Sequence, residues 1–247
     1  MDEEHLTALL TFMRHGEKDA DGALTSSGFR QAGQAGLKGT SLHGDILLFH
    51  SGVGRVRDTI RTMASHLDLD RATELSLDEG RHIVDYVAPS LHFLHNPSNK
   101  GSYHEVWESA EHSADASNQR MSQFLSLDRQ SPEEHVWLSP REMAKNIAVM
   151  IGIQVRFANM TDFSTRVNFV NGSHEPVLMA FIHYFLHDFA PGDANTVERV
   201  GGTINYAEEF EIAVLHRSAR DFRVEFRFRD IKKDVDLVRL REFGYSD

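Results

Sequence analysis

Residues 8–17 read Ala-Leu-Leu-Thr-Phe-Met-Arg-His-Gly-Glu, a mainly apolar run of strand length that stops at a polar group. A short, continuous apolar run is typical of a strand that is buried on both faces. Hydroxyl side chains follow at residues 25–27 and can cap a helix. The sequence therefore predicts a strand, a polar turn and a helix in this order.

The same order recurs twice further along the chain. A second apolar strand is predicted at 45–49 and a third at 166–170, and each ends at a polar turn. The helix after the second strand has apolar residues at spacings of three and four. These residues are Val53, Val56, Ile60, Met63 and Leu67. The third helix is predicted to begin at Pro176 and to end near residue 189.

Three further elements complete the pattern. A capping box at 139–142, Ser-Pro-Arg-Glu, predicts a helix that ends near Ile151, just before Gly152. Strands are predicted at 210–215 and 222–228, and the second alternates apolar and charged residues.

Strands that alternate with helices indicate an α/β fold. We expect three layers, with a mostly parallel central sheet and helices on both faces. A single domain is predicted over residues 1–247. The stretch 80–135 carries Pro89, Pro97 and Gly101 and matches no regular period, so it is predicted to be an insertion.

Composition excludes several classes of site. The chain of 247 residues has no cysteine and a net charge of −11. Disulfides and thiolate metal sites are therefore excluded, and general nucleic-acid binding is disfavoured. No apolar run is long enough to span a membrane. We expect a cytoplasmic protein that binds neither nucleic acid nor membrane.

A metal or cofactor site is not predicted either. His183 and His187 have the spacing of metal ligands on a helix, but a zinc-protease motif would need glutamate where Tyr184 stands. Both histidines are therefore interpreted as structural or exposed.

The polar turns at 14–17, 50–55 and 171–175 are the expected location of chemistry. In sheets of this type, ligands bind at the carboxyl ends of the strands. Among the residues of these turns, two arginines and two histidines form the candidate set, namely Arg14, His15, Arg55 and His174. Because the guanidinium fork matches phosphate oxygens and keeps its charge, this set predicts an oxyanion site.

Four segments in this order resemble the histidine phosphatase superfamily, which includes the phosphoglycerate mutases. They are Arg-His-Gly-Glu at 14–17, Leu-Thr-Ser-Ser-Gly-Phe-Arg-Gln-Ala at 24–32, Ser-Gly-Val-Gly-Arg-Val-Arg-Asp-Thr at 51–59, and Gly-Ser-His-Glu at 172–175. The resemblance implies that His15 is the nucleophile that accepts a phosphoryl group. It implies that Arg14, Arg55 and His174 hold the phosphate oxygens.

Nearby residues are assigned by the same resemblance. Glu17, Thr25 and Ser173 are expected to contact the substrate. A nucleophilic imidazole must be neutral, and the flanking guanidiniums should lower the pKa of His15. No metal is required for this chemistry.

Two assignments stay open. The general acid that protonates the leaving oxygen is predicted to be Glu79 or Glu175. Arg57 is an alternative to Arg55, although the resemblance to the family's segment favours Arg55.

The function that follows is metal-independent hydrolysis of a small phosphomonoester, with that phosphorylated substrate as the partner. A phosphoglycerate-type mutase and a non-catalytic module that binds a phosphorylated ligand are the alternatives. A mutase needs extra positive groups, yet residues 86–139 contain only Lys100, Arg120 and Arg129 as Lys or Arg. This scarcity favours a phosphatase.

Overall fold

A computed structural model describes residues 4–38, 45–69, 84–96, 98–109, 113–160, 166–192, 195–218 and 221–246. The strands within these ranges are β1 (His5–Arg14), β2 (Asp45–His50), β3 (Val84–Val87), β4 (Val167–Ser173), β5 (Glu209–Ser218), β6 (Asp221–Phe228) and β7 (Ile231–Asp234). The helices are α1 (Ser26–Lys38), α2 (Gly54–Leu69), α3 (Tyr103–Ser109), α4 (Ala114–Leu125), α5 (Pro140–Met160), α6 (Glu175–Leu186), α7 (Thr196–Arg199) and α8 (Leu237–Tyr245).

The strands form one mixed sheet in the order β3-β2-β4-β1-β5-β6-β7. The pairings among β3, β2, β4 and β1 are parallel, and those that add β5, β6 and β7 are antiparallel. The predicted α/β fold is confirmed. The parallel half contains the three strands that end in polar turns.

Helices cover both faces of the sheet, which makes three layers. Neighbouring residues of β1 point to opposite faces, as the pleat requires. Phe12 packs in the core that includes α5 and α6, whereas Met13 packs with Ile60 and Met63 of α2. Both strand faces are thus buried, in agreement with the continuous apolar character of β1.

Two predicted boundaries differ from the structure. Helix α5 continues through Gly152 to Met160, because Val155 and Ala158 keep packing against the core and Gln154 is buried in hydrogen bonds to Asn171. Tertiary packing here outweighs the low helix propensity of glycine. Helix α6 ends at Leu186, a few residues before the predicted end.

The stretch 80–135 contributes one strand to the sheet and helical segments outside it. β3 lies within it and pairs with β2 as the edge strand. Beyond β3, Trp137 is fully buried, and the ring centroid of Phe93 lies 4.6 Å from that of Trp137. This aromatic contact holds the chain that follows β3 against the body of the protein.

Within the described residues, no helix has the length and apolar character of a membrane span. The same part of the chain brings together no group of three histidine, aspartate or glutamate side chains suited to a metal ion.

Candidate active site

The three polar turns meet at one edge of the sheet. β1 ends at Arg14, β4 at Ser173 and β2 at His50, and the pairing places Arg14 opposite Ser173 and His50 opposite Gly172. The residues that follow these strand ends therefore converge. The structure brings His15, Arg55 and His174 together, as predicted from their positions in the turns after the three strands.

Two glycines allow the first turn to lie close to α1. A Cβ atom on Gly16 would stand 2.6 Å from the carbonyl oxygen of Gly28, and one on Gly28 would stand 2.3 Å from that of Glu17. Backbone therefore packs on backbone here, which only glycine permits. The helix start is fixed by Thr25, whose hydroxyl accepts a hydrogen bond from Gly28 N–H at 3.0 Å.

His15 is held in one tautomer by the backbone. Its ring is 4 % exposed, and its Nδ1 lies 2.8 Å from the carbonyl oxygen of Gly16. A carbonyl can only accept, so Nδ1 carries the proton and Nε2 has the lone pair. Arg55 Nε donates to this Nε2 at 3.2 Å. Nε2 is therefore the atom whose lone pair could attack phosphorus.

The surroundings keep this imidazole neutral. Burial lowers the pKa of His15 well below 6.5, and the charges of Arg55 and Arg14 lower it further. The predicted direction is confirmed, although burial is the larger cause. His15 is consequently an unprotonated base at neutral pH.

Arg55 is positioned by the first turn of α2. The hydroxyl of Thr59 donates to the carbonyl oxygen of Arg55 at 2.7 Å and accepts from Gly16 N–H at 3.0 Å. This hydroxyl ties α2 to the turn after β1. Arg57, by contrast, is exposed and pairs with Asp58. The structure therefore places Arg55, and not Arg57, beside His15.

His174 occupies the junction between β4 and α6. It is buried, and its Nε2 lies 3.0 Å from Ser51 Oγ in the turn after β2. Its ring centroid is 5.4 Å from that of His15. Burial lowers the pKa of His174 well below 6.5, with the charges of His92 and Arg55 contributing next. Two neutral imidazoles thus stand near the guanidinium of Arg55.

Glu175 is bound on both oxygens. Its Oε2 lies 3.2 Å from Arg14 Nη2 and 3.0 Å from Arg120 Nη2, and its Oε1 accepts from Ser117 Oγ at 3.3 Å. Arg14 also donates to the carbonyl oxygen of Ile204 at 2.8 Å. To donate a proton to substrate, Glu175 would have to leave these partners. This geometry is that of a structural carboxylate that orients two arginines.

We expect Glu175→Gln to lower the free energy of unfolding by about 3–5 kcal/mol, because it leaves two buried guanidiniums without their shared counter-charge. Arg14, Arg120 and Glu175 are all at most 7 % exposed. Urea denaturation measures the loss.

The matched control is Asp234→Asn, which removes an acidic partner of Arg223 at a site where Asp234 is 76 % exposed. Its effect should stay within about 1 kcal/mol. Equal losses in the two variants would show that the buried contacts of Glu175 with Arg14 and Arg120 stabilise the fold no more than an exposed ion pair does.

The remaining predicted site residues do not all lie beside His15. Thr25 and Glu17 lie next to the His15 turn, and Thr25 Oγ1 is 3.4 Å from Glu17 Oε1. Ser173 is buried and donates to the carbonyl oxygen of Leu91 at 2.7 Å, so its hydroxyl is used within the fold. Glu79 lies outside the described residues.

Sequence reasoning missed two residues that contact members of the site, Tyr206 and Arg120. The Arg14 guanidinium lies 4.1 Å above the ring centroid of Tyr206, whose ring is 6.0 Å from that of His15. Arg120 stacks over Trp107 at 4.0 Å while it pairs with Glu175. Neither residue belongs to a motif, and each reaches the site across a long separation in the chain.

No protein-family model and no curated protein sequence matches the chain. Solved structures do. A mycobacterial glucosyl-3-phosphoglycerate phosphatase in complex with VO3 matches with a TM-score of 0.56 and 17% identity, over 90% of this chain and 98% of that one. The chain has the histidine phosphatase fold.

Two further structures share this fold. A second mycobacterial hydrolase matches with a TM-score of 0.55 and 15% identity, over 96% of both chains. A phosphoserine phosphatase variant from Entamoeba histolytica in complex with phosphoserine matches with a TM-score of 0.50 and 16% identity, over 86% of this chain and 98% of that one. At such identities the histidine phosphatase fold is common to these proteins, while the chemistry of this chain rests on its own residues.

Proposed function

We propose that the protein is a metal-independent phosphatase that hydrolyses a small phosphomonoester through a phosphohistidine on His15. One observation carries the proposal: the Nε2 lone pair of a buried, neutral imidazole faces the guanidinium of Arg55. A nucleophile and a positive group for the phosphate oxygens are thereby adjacent. The named substrates of the structures with the same fold, glucosyl-3-phosphoglycerate and phosphoserine, agree with a small phosphorylated metabolite.

The reaction has two displacements at phosphorus. Nε2 of His15 forms a bond to phosphorus as the bond to the leaving oxygen breaks. Water then attacks the phosphohistidine and releases phosphate. In both steps Arg55, whose Nε donates to Nε2 of His15 in the structure, turns its guanidinium to the phosphoryl oxygens. Arg14 adds positive charge from its place between Glu175 and Tyr206.

Hydrolysis of p-nitrophenyl phosphate in the presence of EDTA tests the proposal. We expect turnover to survive EDTA, because imidazole and guanidinium groups supply the chemistry. We also expect vanadate, which mimics the phosphoryl transition state, to inhibit at micromolar concentrations. Turnover abolished by EDTA and restored by a divalent ion would contradict the proposed mechanism. Phosphate binding without turnover of any phosphomonoester would favour the binding module.

A further inference from the structure

In the proposed reaction negative charge builds up on the leaving oxygen as the P–O bond breaks, and a neighbouring hydrogen-bond donor would stabilise it. Glu175 is occupied by Arg14, Arg120 and Ser117. A buried histidine that the mechanism has not used, His92, lies at the same edge of the sheet. The inference below concerns this histidine and rests on the proposed function.

The position of His92 is fixed by hydrogen bonds to the turns that form the site. A short 3-10 helix, Pro89–Leu91, follows β3, and His92 comes directly after it. Ala88 N–H donates to the carbonyl oxygen of His50 at 2.7 Å, at the end of β2. Ser173, at the end of β4, donates to the carbonyl oxygen of Leu91. His92 is therefore anchored to the strand ends on which the pocket is built.

The imidazole of His92 contacts that of His174, which in turn contacts that of His15. The ring centroid of His174 lies 5.4 Å from that of His15 and 4.9 Å from that of His92. On its other side, His92 stacks on Phe93 at 4.6 Å. The ring of His174 is thus in contact with both the nucleophile and His92. An in-line displacement puts the leaving oxygen on the side of phosphorus away from the nucleophile.

Hydrogen bonding decides which nitrogen of His92 carries the proton. Leu94 N–H donates to His92 Nδ1 at 2.9 Å, so Nδ1 is the acceptor and Nε2 is protonated. Among the described residues, the titratable groups that act on the ring are Arg55 on α2, His104 on α3 and the His174 imidazole. Burial, followed by the charges of Arg55 and His104, lowers the pKa of His92 to about 4. The ring is a neutral donor at pH 7.

We propose that Nε2–H of His92 donates a hydrogen bond to the leaving-group oxygen of the substrate. As the P–N bond to His15 forms and the P–O bond breaks, the electron pair of that bond goes to the leaving oxygen. The leaving oxygen takes the proton that the phosphomonoester monoanion already carries, so His92 keeps its own proton. Water then cleaves the P–N bond, which yields dihydrogen phosphate and regenerates neutral His15.

Two variants separate this role from a structural one. His92→Asn keeps an acceptor for Leu94 N–H but lacks a donor at the Nε2 position, whereas His92→Gln keeps the donor and loses the acceptor. Phenyl phosphate and p-nitrophenyl phosphate have similar shapes but differ in the basicity of the leaving oxygen. We expect His92→Asn to lower kcat/KM about 100-fold for phenyl phosphate and about tenfold or less for p-nitrophenyl phosphate. His92→Gln should recover most of the loss.

Equal losses on both substrates, or a larger loss in His92→Gln than in His92→Asn, would overturn the proposal. If neither variant folds, the unaltered protein gives the answer: its kcat/KM should differ less than about tenfold between the two substrates. A difference above about 1000-fold would mean that no donor acts on the leaving oxygen. Phosphorylation of His15 by p-nitrophenyl phosphate is measured in parallel, so a failure of the phosphatase proposal itself would be seen separately.

Discussion

Replacing His15 by alanine is expected to lower kcat for p-nitrophenyl phosphate by about 10⁴-fold or more, because the covalent route is lost with the nucleophile. The variant should also take up no radioactive phosphoryl group when it is quenched during turnover. The unaltered protein should carry a label that is stable in base and lost in acid, as expected for a phosphoramidate bond.

The matched control is His216→Ala. This histidine is buried to the same degree, but it pairs with His5 at the start of β1, whereas His15 follows the end of that strand. Its kcat should be within about twofold of the unaltered protein, and its melting temperature reports the lost packing on Phe222. An acid-labile label that persists in His15→Ala would assign the nucleophile to another residue.

Removal of Arg55 is expected to have the second largest effect. Arg55→Ala should lower kcat/KM by about 10²–10³-fold, since it deletes the guanidinium that lies against the nucleophilic nitrogen. The inhibition constant of vanadate should rise in parallel. Steady-state kinetics with and without vanadate measures both quantities.

Arg57→Ala provides the control for Arg55. The two arginines lie two residues apart on α2, but Arg57 is 45 % exposed and pairs with Asp58. Its replacement should change kcat/KM by less than about twofold. A larger effect from Arg57 than from Arg55 would mean that the positive group acting on phosphate has been placed incorrectly. Arg55→Lys should restore only part of the activity, because an ammonium cannot reproduce the guanidinium fork.

The sequence permitted prediction of the parallel half of the sheet and of the junctions that carry the site. Each of β1, β2 and β4 is a short apolar run that stops at polar residues, and parallel strands align their carboxyl ends. Arg14, His15, Arg55 and His174 therefore converge without any long-range information. The continuous apolar run of residues 8–13 is enough to place His15 just beyond a buried strand end.

Other features depend on tertiary contacts that no local pattern reports. Gly152 marked a plausible helix end, yet α5 continues because the residues beyond it are buried. The strand Val84–Val87 is short and lies at the sheet edge, where alternation is weak.

The surroundings of Glu175 also depend on tertiary contacts that no local pattern reports. Arg120 reaches Glu175 across 55 residues of sequence, so neither helix by itself indicates the ion pair. His92 likewise has no motif, and tertiary contacts such as the one with His174 connect it to the site.

The central claim is that His15, Arg55 and His174 surround one phosphoryl group. A crystal structure of the protein with vanadate tests it most directly. We predict a bond from vanadium to Nε2 of His15, with the Arg55 guanidinium and the His174 imidazole within hydrogen-bond distance of the vanadate oxygens. Vanadate bound elsewhere, while Nε2 of His15 keeps its hydrogen bond from Arg55 and makes no bond to vanadium, would contradict the account.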